Sequence, residues 1–69
     1  MQPHEELVVQ ERDELADKLV KLSTFILKSD TFRALSDDDK QLLRLQRDTM
    51  LEYHEILEDR IAGFDPFDA

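Results

Sequence analysis

The sequence predicts an all-α protein, an antiparallel two-helix hairpin with a coiled-coil-like seam that assembles into a helical-bundle oligomer. Three observations predict it. Two helix-length stretches carry apolar residues at alternating spacings of three and four, one short break at residues 29–35 separates them, and glycine and proline occur only near the chain ends, at Pro3, Gly63 and Pro66.

The first helix is expected over about residues 4–28. Pro3 suits a lead-in or first turn, and Glu5 and Glu6 place negative charge at the positive end of the helix dipole. Its seam reads Val8, Arg12, Leu15, Leu19, Leu22 and Ile26, and Lys28 complements the dipole at the other end. Ser29 and Asp30 mark a stop. The segment 29–35 is too short for an independent helix, but Phe32 and Leu35, three apart, can fold one turn over the end of the hairpin as a plug.

Ser36 followed by Asp37, Asp38 and Asp39 reads as a helix start, with Ser36 as N-cap and Asp39 approximating the capping-box acid. The acidic triplet is not a calcium loop, which needs acids at alternate positions, a central glycine and a distal glutamate. A second helix over about residues 37–62 follows, with a seam of Leu43, Gln46, Met50, Tyr53 and Leu57 closed by Arg60 or Ile61. Gly63 is placed for a C-terminal cap, and Pro66 ends the helical potential of the tail, residues 63–69. Phe64 and Phe67 in that tail either dock, on the hairpin or on a neighbouring subunit, or fray.

Sixty-nine residues allow one domain, and two helices that touch along a single line cannot enclose their own core. Leu7, Val9, Val20, Phe25 and Leu27 on the first helix, and Leu42, Leu45, Leu51 and Ile56 on the second, lie off the seam and would stay wet in a monomer. Self-association is the expectation. The 41% apolar content is concentrated in the two helices, which argues against wholesale disorder despite 38% charged residues. With no cysteine there is no disulfide, thiolate metal site or thiol nucleophile. No apolar run is long enough to span a bilayer and the first residues are acidic, so a soluble, unprocessed cytoplasmic protein is expected, with no membrane partner.

A net charge of -8 argues against general DNA or RNA binding, which needs a basic footprint. The distribution is uneven. Residues 18–47 hold seven bases against four acids, whereas residues 1–17 and 48–60 together hold eleven acids against two arginines. Folded as an antiparallel hairpin, the chain is a polar rod, basic at its loop end and acidic at its open end.

Catalytic chemistry finds little footing. His4 and His54 lie on different helices and neither forms a Glu-x-x-His or His-x-x-x-His pair, so no metal, no cofactor and no enzymatic activity are expected. Ser23 and Thr24 have no flanking histidine, and there is no glycine-rich phosphate loop. The basic and hydroxyl residues near the loop end are more informative. Lys40, Arg47 and His54 fall seven apart on one stripe, and Lys18, Lys21, Ser23 and Thr24 come from the other helix. These bases either pair with neighbouring carboxylates, as Lys21 can with Asp17 at i-4, or converge on a compact anion. Arg12, Gln46 and Arg60 are polar intrusions in the seam of the kind that fix register or oligomer state. Tyr53 reads as a core residue whose hydroxyl reaches a partner, or as a ring that stacks on a base.

The string Glu6-Leu7-Val8-Val9-Gln10-Glu11, with Glu14-Leu15, Lys18-Leu19, Lys21-Leu22 and Phe25-Ile26, resembles the opening of a group of small phage proteins first labelled from crAss-like phages. Phe32, Leu35, Leu42-Leu43, Gln46, Met50, Tyr53, Ile56-Leu57, Arg60-Ile61 and Phe64 continue the likeness, which spans residues 6–64. That group is distantly similar in architecture to the hairpin domain of phage anti-CBASS and anti-Thoeris proteins, which sequester cyclic nucleotide immune signals between protomers. The resemblance implies an anti-defence sponge in the cytoplasm of the infected host cell, a homo-oligomer that holds a cyclic nucleotide without degrading it. The Gly-Tyr-Arg stretch of the anti-CBASS pattern is missing before the first helix, so no binding residue transfers by motif.

A cyclic nucleotide needs a few bases, hydroxyl donors and an aromatic or guanidinium plane; Lys18, Lys21, Ser23, Thr24, Arg44, Arg47 and Tyr53 are the candidate ligand-binding residues. Two other readings compete. An acidic helical oligomer could instead inhibit a basic host protein through its open end, or the hairpin could serve assembly alone.

Overall fold

The computed structural model describes residues 1–64, which form α1 (Pro3–Lys28), α2 (Asp30–Arg33) and α3 (Asp37–Ala62). The two 26-residue helices pack antiparallel into a rod of 51 × 15 × 14 Å, as the spacing of apolar residues requires. No helix of the described residues is long and apolar enough to cross a membrane.

Each helix end is made by the residues beside it. Pro3 takes the first helical position of α1, and the backbone N–H of Gln2 donates to Glu5 Oε1 at 2.7 Å, a capping-box contact that the sequence reading did not pick out. Ser29 closes α1 with its backbone N–H on Phe25 O and opens α2 with its hydroxyl accepting from Phe32 N–H at 3.4 Å. One residue thus turns the chain twice. Ser36 caps α3, its Oγ accepting the N–H of Asp39 at 3.2 Å, with Asp37, Asp38 and Asp39 in the first turn. Ser36→Ala is expected to lower stability by about 1 kcal/mol. In a thermal melt followed by circular dichroism this appears as a fall of about 4–8 °C for a domain this small, and an unchanged midpoint would show that the cap is idle. Gly63 ends α3 with φ -84°, so the cap position uses none of glycine's special conformational freedom.

The seam of α1 is the one its spacing predicts. Val8, Leu15, Leu19 and Ile26 are buried, Arg12 and Leu22 half-buried, and Glu5 extends the row one step toward the N-terminus. On α3 the predicted phase is corrected. Gln46, Tyr53 and Arg60 are exposed, and the seam runs instead through Leu43, Arg47, Met50, His54, Leu57, Ile61 and Phe64, spaced four and three throughout. Gln46, Tyr53 and Arg60 each lie one residue from the true row. The adopted phase carries the apolar line on through Ile61 and Phe64, which pack with Met50 against Val8, Leu15 and Leu57. Arg47 and His54 are half-buried on this row, Arg47 against Asp48 and His54 against Glu58. Phe64 therefore docks on the hairpin itself, while the expectation for Phe67 falls outside the described residues.

The one-turn plug is present. Phe32 on α2 is 4% exposed and meets Phe25 edge-on, with ring centroids 5.9 Å apart and planes at 77°.

Candidate functional site

Antiparallel packing gives the hairpin two flanks. Residues just after the inner row of α1 and just after that of α3 share one flank, and those just before share the other. Arg12 and Glu58, 3.5 Å apart, fix both register and side: residues whose numbers sum to about 70 lie level, and Glu58 belongs to the Arg44, Leu51, Glu58 stripe. The same carboxylate oxygen of Glu58 lies 3.7 Å from His54 Nε2, and the Arg12–Glu58 pair links the two helices toward the open end.

At the loop end the same flank is basic. Lys40, Arg44 and Arg47 are spaced four and three along α3, level with Ser23 and the residues after it on α1. The Arg44 guanidinium sits over the Phe32 ring, 5.5 Å from its centroid. Phe32 is braced in turn by Phe25 and by the cap from Ser29. A flat cation is thereby held against a rigid aromatic base. Among the described residues neither Lys40 nor Arg44 makes an ion pair. Arg47 is half-buried in the seam and donates through Nε and Nη2 to Asp48 Oδ1 at 3.2 and 3.1 Å.

The seven ligand-binding candidates do not all meet. Ser23, Arg44 and Arg47 gather on this ledge, with Lys40 beside them. Lys18 and Tyr53 are near one another in register but on the opposite flank, where Tyr53 is 42% exposed. Lys21 and Thr24 lie on the side of α1 turned away from α3, and Lys21 Nζ is already 3.7 Å from Asp17, the i-4 partner that the spacing suggested. Arg47 also pairs with a neighbouring carboxylate, Asp48 of its own helix.

The ledge offers two unpaired cations, a third in reserve, a hydroxyl and a guanidinium plane, which is the chemistry that recognises a compact phosphate-bearing ligand. Sequence reasoning missed the Phe32 platform. Its only sequence signal is the pairing of Phe25 with Phe32 seven residues on, across a break that hides their contact.

The model of the Sequestin family matches residues 2–63, which takes in all three helices and every residue of the ledge. No curated protein and no solved structure matches the chain.

Proposed function

The chain belongs to the Sequestin family, and from that premise we propose that it sequesters a cyclic nucleotide immune second messenger, as a phage anti-defence protein in the cytoplasm of the infected cell. It oligomerises, holds the messenger and performs no reaction on it. The family's name supports sequestration of a ligand. The observation that carries the choice of ligand is the Arg44 guanidinium on the Phe32 ring, with Lys40 unpaired one turn away. Phosphates of a cyclic nucleotide lie close together and its bases are flat, so a planar cation and a compact ammonium on one ridge complement both parts.

In this mechanism Arg44 donates to a phosphate oxygen from one edge while its face stays on Phe32. Lys40 adds a second charge, and Ser23 supplies a hydroxyl from the other helix. Arg47 exchanges Asp48 for the ligand only where the phosphate comes close enough to compete.

Native mass spectrometry of the protein with a panel of cyclic di- and trinucleotides and cyclic ADP-ribose isomers tests this reading, with the ligand recovered afterwards. Stoichiometric binding of one class and its release unchanged are expected. Arg44→Ala or Lys40→Ala should weaken that binding by about tenfold or more, the worth of a charged hydrogen bond. Lys21→Ala, which disturbs only an exposed pair with Asp17, should change it by less than about twofold. A protein that stays empty throughout the panel, or whose affinity ignores Arg44 and Lys40, would remove the proposal.

A further inference from the structure

The seam leaves α3 with a second apolar stripe that none of the described residues covers. Leu42, Leu45, Tyr53 and Ile56 are 63%, 59%, 42% and 56% exposed, and with Thr49 they follow one another at spacings of three, four, four and three. Asp38 and Arg60 extend the row by four at either end. The row is therefore symmetric about Thr49, and Thr49 sits at the middle of α3.

We propose that this stripe is the contact face of a twofold homodimer, in which α3 of one copy lies antiparallel against α3 of another with the axis passing through Thr49. It gives the self-association of the proposed function a definite geometry, but it does not depend on any ligand. Residues equidistant from Thr49 meet across such an axis. Leu42 meets Ile56 of the second copy, Leu45 meets Tyr53, and Asp38 meets Arg60, each pair occurring twice. Among the described residues neither Asp38 nor Arg60 makes an ion pair within its own chain, so both are available to form these.

Three further features fit a second copy as the occupant. Asp38, Gln41, Leu42 and Leu45 surround a shallow depression, and their positions i, i+3, i+4 and i+7 are those of the hole that receives one side chain of a facing helix. The residue brought to that hole by the axis is Ile56. At the axis itself the side chain is small, and the Thr49 hydroxyl already donates to Leu45 O at 2.9 Å, so close approach buries no unsatisfied polar group. The antiparallel order also sets the basic loop end of each rod beside the acidic open end of the other, and opposes the two helix dipoles. The exposed apolar residues of α1 divide between flanks, Leu7 on one and Val20 and Leu27 on the other. They offer no comparable row.

The chain has no cysteine, so a single introduced one reports its own twofold neighbour. Thr49→Cys in the full chain, oxidised mildly in the absence of nucleotide, is expected to give a disulfide-linked dimer, and Thr24→Cys on the far side of α1 is expected to give none. Leu45→Lys should raise the dimer dissociation constant in analytical ultracentrifugation by about a hundredfold, as placing an unpaired charge in a desolvated contact does, with helicity read in parallel by circular dichroism. Should Leu45→Lys unfold the chain, the cysteine pair still decides. A wild-type protein that sediments as a monomer at tens of micromolar, or a Thr49→Cys protein that does not crosslink, overturns the proposal. A dimer that survives Leu45→Lys and is lost in Val20→Lys overturns it too, by placing the contact on α1. Because all of this is read without ligand, failure to bind a nucleotide would leave the dimer standing, and failure to dimerise would leave the ligand titrations to be judged separately.

Discussion

Leu57→Ala is expected to leave the chain only marginally folded at room temperature. Among the described residues Leu57 is the one side chain with 0% exposure, and it sits with Val8 and Leu15 at the centre of the packed cluster that Met50, Ile61 and Phe64 complete. Truncating a buried leucine costs about 2–5 kcal/mol through lost burial and the cavity left behind. A single core in a chain below about 70–80 residues supplies about 3–5 kcal/mol in all, so one such loss consumes most of the margin. Far-UV circular dichroism and urea titration should show reduced helicity before denaturant is added. Gln46→Ala, which the spacing alone places on the seam but which is exposed, should change stability by less than about 0.5 kcal/mol. A Gln46→Ala protein that melts early would mean the α3 seam has the other phase, and a Leu57→Ala protein with a wild-type transition would mean that Leu57 is not at the centre of the core.

Phe32→Ala should open the loop end and weaken the ledge together. Phe32 is nearly fully buried, braces Phe25 edge-on and carries the Arg44 guanidinium on its face. Removing a buried phenylalanine costs about 3–5 kcal/mol, enough to make the folded state marginal. Phe32→Leu keeps most of the apolar volume and loses the ring. It forgoes the aromatic pair, about 0.5–1.5 kcal/mol, and the cation–π contact, about 0.5–1 kcal/mol, so this variant should remain folded with Arg44 released. Hydrogen exchange should then rise over residues 29–36 while the centre of both long helices stays protected. Any nucleotide bound by the wild-type protein should be held more weakly by Phe32→Leu. Protection of residues 29–36 that is unchanged in Phe32→Leu would show that the plug does not depend on the ring.

The two predictions test opposite ends of a rod whose ends differ in kind. At the open end, Arg12 and Glu58 form an ion pair beside the apolar cluster, with His54 against the same carboxylate, so the Arg12 charge there joins the helices. At the loop end Lys40 and Arg44 are left without carboxylates, and Arg44 lies over the Phe32 ring. An acidic chain that keeps unpaired cations on one rigid ledge presents a local surface opposite to its net charge of -8. That contrast is what makes the ledge a candidate for an anion.

Much of the hairpin was legible in the sequence. The row from Val8 to Ile26 has only one reading, because every third or fourth residue is apolar save Arg12 and the intervening positions are mostly polar or charged. Ser29, Ser36 and the aspartates after Ser36 announce the helix boundaries by local hydrogen bonding, which depends on near neighbours alone. The short α2 plug followed from Phe32 and Leu35 for the same reason.

The phase of α3 was not legible, because Leu42, Leu43, Leu45, Leu51, Ile56, Leu57 and Ile61 surround the helix and allow two rows one residue apart. Which row faces α1 depends on how Leu57, Ile61 and Phe64 fit against Val8 and Leu15, a contact between segments about fifty residues apart. The site shows the same division. Its charges and hydroxyls could be named from the sequence, yet the one-residue rotation of α3 and the handedness of packing decided that Ser23, Arg44 and Arg47 share a flank while Lys18 and Tyr53 take the other. By itself the sequence determined two long helices, their caps, the turn between them and the polarity of charge along the rod, since each rests on local periodicity or on composition. Only the tertiary structure decided which faces meet, which cations stay unpaired and which apolar stripe is left uncovered, because those follow from side-chain fit between distant segments that no local pattern encodes.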